Sequence, residues 1–394
     1  MPLEFKKLIA VIDAKKEIYK DFDEFMKSHY KDYAEKLLNI TSYSSSEIIA
    51  KLGDIEYPGA LPTKELDEKG LVIQFKTDFS NHREARKWAC KVLSNVELCA
   101  SDGSQIYPSK DMSIPLGLVN VSWFYNNHNG KYEKDSSLEL LTPNELFDPE
   151  DTGMPSNSAV DAIRFECECE ALKKNILAHK GTFAIFDGSL LVSFATRLPA
   201  EHREKHIRAM LDLLYSSWIS QSPVIGYIDV SYARDIAKML SNLFSEEVEK
   251  RVFDAGLVNH ILKNWGDRTC CFTCRRKGIV DKYENEKDEN EEDDKKEKEK
   301  RKDVEIAFFY MRVNSERPVR VEFPSWALHL SDKIADVILA ECIVGNGYPH
   351  ILRVVHDSAC ITNEDKEKFL RMFQKFQQKE NIEMQISRKR ISKY

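Results

Sequence analysis

The sequence predicts an α/β fold, a sheet covered by helices. Three observations carry this. From Asn157 to Phe244, helical and strand periodicities alternate: a helix over Asn157 to Lys180, a strand, a helix over Ala200 to Trp218, a strand, and a helix over Ala233 to Phe244. The two strands, Thr182 to Phe186 (TFAIF) and Val224 to Val230 (VIGYIDV), are short apolar runs suited to burial on both faces. Earlier, Ile114 to Tyr125 (IPLGLVNVSWFY) is rich in β-branched and aromatic residues, the mark of one long strand or a strand pair.

The other elements follow in order. From Phe5 to Leu38, apolar residues recur at helical spacing between Lys and Glu, which predicts one or two amphipathic helices ahead of the main fold. Asn126 to Tyr132 supplies a turn. Strand signals resume at Val304 to Val313 and Val319 to Phe323, and helices are expected near Ser331 to Cys342 and Asn363 to Gln378. Residues 281–303 hold almost no apolar side chain and cannot offset their chain entropy by burial, so a disordered charged insertion is expected there. The resulting division is a helical extension over 1–60, a main domain over 61–380 interrupted at 281–303, and a basic tail over 381–394.

Composition narrows the class. The 394 residues are 42% hydrophobic and 31% charged, with no apolar run long enough to cross a bilayer and no secretory signal pattern at the N-terminus, so a cytoplasmic protein without a membrane role is expected. Nine cysteines, an odd number, argue for reduced thiols. The net charge is −7, of which the insertion, with twelve acidic and eight basic residues, supplies −4. Binding to nucleic acid needs only a local basic groove, so this balance neither supports nor excludes such a partner.

Two Asp-Gly-Ser tripeptides, Asp102-Gly103-Ser104 and Asp187-Gly188-Ser189, each follow an apolar stretch. An Asp at a strand's end is held rigidly, Gly admits close approach, and Ser104 or Ser189 offers a hydroxyl to orient the carboxylate. Asp-Gly is also a common turn. Two carboxylates on neighbouring strands can hold divalent cations that activate water for phosphodiester cleavage. Between them, Glu166, Glu168 and Glu170 alternate along a helix, about 200° apart in succession, so one or at most two face such a site. Glu168 shares a polar stripe with Asp161 and Arg164. Near the C-terminus, His350, Arg353 and His356 fall every third residue and line one face if the segment is helical; as a strand, His350, Leu352, Val354 and His356 share a face instead. Cys270, Cys271 and Cys274 invite a zinc reading, but no second Cys or His pair follows at ribbon distance. No Walker A, dinucleotide-binding or α/β-hydrolase motif is present.

The order of these motifs resembles the NurA family of nucleases. The resemblance rests on Asp102-Gly103-Ser104, Arg164 to Glu168, Phe186-Asp187-Gly188-Ser189-Leu190, and Tyr348-Pro349 through His356 to Ala359. Ile225-Gly-Tyr-Ile228, Ala233-Arg234-Asp235, Trp265-Gly-Asp-Arg268-Thr269 and Arg320-Val-Glu-Phe-Pro324 also look like family positions, and the likeness spans roughly residues 95 to 365. It implies a ribonuclease H-like mixed sheet flanked by helices, a Mn2+- or Mg2+-dependent site and a homodimer. It further implies single-strand endonuclease and 5′ to 3′ exonuclease activity on DNA, alongside a HerA-type hexameric ATPase, in DNA end resection or anti-phage defence. Carried over residue by residue, Asp102, Glu168 and Asp187 would be metal ligands and His356 the late catalytic histidine, with Arg234, Arg268 and Arg353 toward substrate. The middle ligand stays open among Glu166, Glu168 and Glu170. Two other readings stand beside this one: an idle scaffold docked on the ATPase, and a zinc-containing nucleic-acid-binding module.

Overall fold

The computed structural model describes residues 3–110, 112–147, 153, 155–276 and 305–383; the expected insertion at 281–303 and the basic residues 388–393 lie outside the described residues. In chain order the strands are β1 (Gly59–Pro62), β2 (Val72–Ile73), β3 (Leu98–Ile106), β4 (Gly117–Asn126), β5 (Tyr132–Leu141), β6 (Phe183–Asp187) and β7 (Val224–Ile228). They continue with β8 (Arg268–Thr269), β9 (Phe272–Arg275), β10 (Ile306–Met311) and β11 (Val319–Pro324). The result is a mixed α/β architecture with helices at the N-terminus, as the sequence predicts. The chain divides into two compact units, each assembled from separated segments.

The first unit draws on Met1–Thr77, Ile228–Lys277 and Ala307–Val321. Its strands run in the order β1-β9-β10-β11, with β2 and β8 joined beside β10. Leu37, Ile40, Ile48, Leu52, Ile236, Leu240, Phe272 and Phe308 build its core. The expected N-terminal helices are present as Phe5–Asp13, which buries no side chain, and Lys16–Asn39, which buries only Tyr30, Tyr33, Ala34 and Leu37 in its second half.

Arg268 belongs to this core, and the expectation that it meets substrate is corrected here. Its side chain is 3% exposed and forms a two-pronged ion pair with Glu65, Nη1 to Oε2 at 3.0 Å and Nη2 to Oε1 at 2.7 Å. The Cys271 N–H donates to the same carboxylate at 2.8 Å. Burial pushes the Glu65 carboxyl up, but Arg268 and that N–H outweigh it and bring it down to about 2. A lowered carboxyl stabilises the fold above its ordinary 4.5, and that contribution is lost as pH falls toward 2. Arg268→Ala strands a buried charge, so a loss of about 3–5 kcal/mol is expected in denaturant unfolding at neutral pH, with the gap narrowing in acid. An unchanged midpoint would contradict this. Arg234, in the same unit, is exposed and donates to the Lys250 carbonyl at 2.8 Å.

The second unit draws on Asp78–Tyr227, Gly278–Ile306 and Glu322–Tyr394. Its strands run in the order β7-β6-β3-β4-β5. β3, β4 and β5 form an antiparallel meander, and β6 and β7 lie parallel to β3, which is the mixed ribonuclease H-like order. The buried runs FAIFD and VIGYI need cover on both faces, and helices provide it. Helix Asn157–Ala178 lies over β3 and β4, with helix Ala200–Ser220 packed beside it. On the opposite face, helix Ser331–Val344 sets the Lys333 ammonium 4.9 Å from the Phe183 ring centre, and helix His350–Ala359 crosses β3 and β4. No helix among the described residues is long and apolar enough to cross a membrane.

Candidate active site

The strand register assembles the site. Leu98, Cys99 and Ala100 of β3 sit opposite Phe183, Ala184 and Ile185 of β6. Carried two residues further, that offset sets Asp102 level with Asp187 on the neighbouring strand, and the two-residue period puts both on one face. Parallel neighbours stand about 4.8 Å apart, and the charges of both aspartates act on Glu168. Asp187 closes β6 as expected. Asp102 does not close β3, which runs on to Ile106 because β4 pairs with it throughout, Asp102 opposite Ser122.

Glu168 approaches from the helix on the other face. Ser101 Oγ donates to the Glu168 carbonyl at 2.9 Å, fixing the helix against β3. The carboxylate then fills the gap left by the missing side chain of Gly103: a Cβ there would stand 2.7 Å from Glu168 Oε1 and 2.8 Å from Arg164 Cγ. Arg164 Nη1 bonds the same Oε1 at 2.9 Å, one helical turn away. Burial pushes the Glu168 carboxyl up to about 8; Arg164 works against this, while Asp102 and Asp187 add to it. The three acids therefore feel one another. Of the alternatives, Glu166 is exposed, and Glu170 is occupied by Lys173 at 3.1 Å and Lys174 at 3.8 Å, so Glu168 is the member brought to the aspartates.

The C-terminal segment is helical over His350–Ala359 and serves both aspartates. His356 Nδ1 lies 2.8 Å from Asp102 Oδ2, with the histidine 69% and the aspartate 17% exposed, so the free edge of the imidazole faces solvent. Tyr348, whose role the motif Tyr-Pro did not disclose, donates its hydroxyl to Asp187 Oδ2 at 2.9 Å. Its loop is tight: a Cβ on Gly345 would stand 1.9 Å from the Tyr348 carbonyl oxygen. Buried Glu341 anchors the next helix by accepting the Ile351 N–H at 2.7 Å, and the His350 N–H also points to it. The signal for Glu341 was a lone charge within the apolar run Ile338 to Ile343. His350 and Arg353 are exposed on this helix, and no contact to the three carboxylates is made by either.

Burial pushes the Glu341 carboxyl up to about 7, against the pull of the two N–H groups. A raised carboxyl favours the fold most below 4.5 and less as pH climbs to about 7. Glu341→Gln is expected to flatten that decline, which is on the order of 3 kcal/mol. Melting curves between these pH values check it, and an identical slope in the variant would contradict it.

The two serines do not orient their own aspartates. Ser104 donates to the Ala359 carbonyl, joined there by Asn120 Nδ2 at 2.8 Å, and so ties down the far end of the His356 helix. Ser189 donates to Glu322 Oε2 at 2.9 Å, and the Leu190 N–H reaches the same oxygen at 2.8 Å. Glu322, which is 1% exposed, thus holds the turn after Asp187. The zinc reading is also corrected. Cys270 and Cys271 are buried, with thiols pushed well up by desolvation, and among the described residues no group of three metal-ligating side chains forms around them. All nine cysteines are free.

Among the described residues, no three His, Cys, Asp or Glu side chains stand as a ready-made metal cage. Each carboxylate is instead held by its own partner: Asp102 by His356, Glu168 by Arg164, Asp187 by Tyr348. The donor set nevertheless fits a hard divalent cation, because carboxylate oxygens suit Mg2+ and Mn2+ and a cation would relieve the surplus negative charge that Glu168 registers.

The NurA domain model matches residues 96–361, two thirds of the chain and the whole of this site. The chain belongs to the NurA domain family. In structure it is similar to the NurA nuclease from Sulfolobus solfataricus, with a TM-score of 0.56 and 13% identity over 96% of this chain and 98% of that one. A second crystal structure, of NurA, is similar over 71% of this chain and 88% of the other at 11% identity and a TM-score of 0.41. No curated protein matches the chain. At these identities the likeness concerns the fold, and the site rests on the residues above.

Proposed function

We propose that this NurA protein is a divalent-metal-dependent deoxyribonuclease whose ligands are Asp102, Glu168 and Asp187. The observation that carries the reading is Glu168, lodged behind Gly103 and acted on by the charges of both Asp-Gly-Ser aspartates. Family membership and the nuclease named for a protein of the same fold support it.

Mn2+ or Mg2+ bound by these three residues supplies water activation and charge stabilisation for phosphodiester hydrolysis. The chain's own groups do the rest. Asp102 holds Nδ1 of His356 and so fixes the ring, leaving Nε2 to exchange a proton with solvent or substrate. Tyr348 steadies Asp187 through its hydroxyl. Arg353, exposed three residues before His356 on the same helix, suits a substrate phosphate.

We place the enzyme with a HerA-type hexameric ATPase, as a homodimer, in DNA end resection or anti-phage defence, acting as single-strand endonuclease and 5′ to 3′ exonuclease. Incubating end-labelled single-stranded and duplex DNA with manganese, magnesium or excess chelator tests the reading. Cleavage in metal that stops on chelation is expected. Cleavage that persists in chelator would remove the metal requirement.

A further inference from the structure

Helix His82–Leu93 packs on helix Ser331–Val344 by Ala85, Ala89 and Leu93 and turns its other side outward. On that side Arg83, Arg86, Lys87 and Lys91 are exposed at helical spacing, forming one continuous basic stripe. Several exposed cations on other helices are matched within a turn: Lys20 with Glu17, Lys368 with Glu364, Arg371 with Glu367. Here they are not. Arg83, Arg86 and Lys91 make no ion pair or hydrogen bond among the described residues. The single acid of the helix, Glu84, is turned back to the Ser80 N–H at 3.0 Å, where its charge reaches only Lys87. A chain of net charge −7 has thus left three cations unmatched on one helix face, with Lys87 beside them.

The stripe also lies on the right side of the sheet. Only residues 94–97 link this helix to β3, and the helix packs on helix Ser331–Val344. Twelve helical residues span about 18 Å, and the strand from Leu98 to Asp102 spans about 13 Å. The helix is thus long enough to span the distance from the start of β3 to the level of Asp102. Helix Ser331–Val344 beneath it lies on the sheet face those aspartates share. Bound phosphates release counterions, and a row of fixed cations along a helix follows a nucleic-acid backbone without reading its sequence.

We propose that the outward face of helix His82–Leu93 is a track for the phosphate backbone of single-stranded DNA, leading it to the Asp102 and Asp187 end of the sheet. The proposal rests on the nuclease reading for what happens at the end of the track, not for the binding itself.

The test uses the full chain carrying Asp187→Asn, so that a fluorescent single-stranded oligonucleotide is bound and not cut. Its anisotropy is followed across a salt series, with and without the further changes Arg83→Gln, Arg86→Gln and Lys91→Gln. All three lie on an exposed face, and melting curves check that the fold holds. Each lost phosphate contact lowers the salt slope by about 0.7, so the triple change is expected to lower it by about 2 and to weaken low-salt binding at least tenfold. A control neutralises three exposed lysines of the other unit, Lys7, Lys20 and Lys31, and is expected to change little. An unchanged slope in the triple variant, an equal drop in the control, or no binding by the parent would overturn the track. Wild type that cuts DNA while the triple variant keeps its slope overturns the track and leaves the nuclease reading. Wild type that never cuts while the slope falls does the reverse.

Discussion

Asp187→Asn is expected to abolish DNA cleavage while leaving the melting temperature unchanged or slightly raised. The two halves of that result come from one geometry. Asp187 is exposed at the end of β6, where its carboxylate accepts from the Tyr348 hydroxyl. Its negative charge presses on buried Glu168, together with that of Asp102, and removing it relieves Glu168. The same charge is what a divalent cation needs. Losing one of three anionic ligands withdraws several kcal/mol of charge stabilisation, and about 4 kcal/mol corresponds to about a 1,000-fold loss of rate. Asp102→Asn is expected to match it in rate, and the free histidine edge is then less firmly set, because an amide holds His356 more weakly than a carboxylate. Single-turnover cleavage beside thermal denaturation reads both halves. A variant that keeps activity would remove Asp187 from the machinery, and one that unfolds would make its role structural.

Gly103→Ala is expected to cost about 100-fold in rate with only a modest loss of stability. The new methyl meets Glu168 Oε1 at 2.7 Å, Arg164 Cγ at 2.8 Å and Val121 Cγ2 at 3.1 Å. Two of these belong to flexible side chains, so the structure accommodates the methyl by moving them, at about 1–3 kcal/mol. The movement is the damage: displacing a reacting group by about 1 Å costs on the order of 100-fold. Activity at the wild-type level with a lowered melting temperature would show that Glu168 has no part in the chemistry.

The sequence disclosed the fold where residues are buried and the site where motifs repeat. The runs at Phe183–Asp187 and Val224–Ile228 announced themselves because burial on both faces leaves no room for polar side chains. β5 went unassigned for the opposite reason. Its residues YEKDSSLELL are exposed but for Leu141, and its extended form comes from ten pairings with β4 that no local pattern encodes. The same dependence on a neighbour explains why β3 continues past Asp102. The pair Asp102 and Asp187 was legible from two copies of Asp-Gly-Ser, but choosing Glu168 over Glu166 and Glu170 required the gap at Gly103. Arg268 misled because a motif position shows that a guanidinium is wanted, not whether it meets a phosphate or a buried Glu65 from 203 residues away. Tyr348 and Glu322 lay in motif positions, but their partners Asp187 and Ser189 are 161 and 133 residues away, so their roles could not be read locally.

Cleavage of one end-labelled single strand in manganese, by wild type and by Asp102→Asn side by side, tests the central claim most directly. Shortened products from wild type alone, lost when the metal is chelated, are the predicted result. No products from wild type in manganese or magnesium, with a cognate hexameric ATPase and ATP also supplied, would contradict the account and leave this NurA protein as a scaffold.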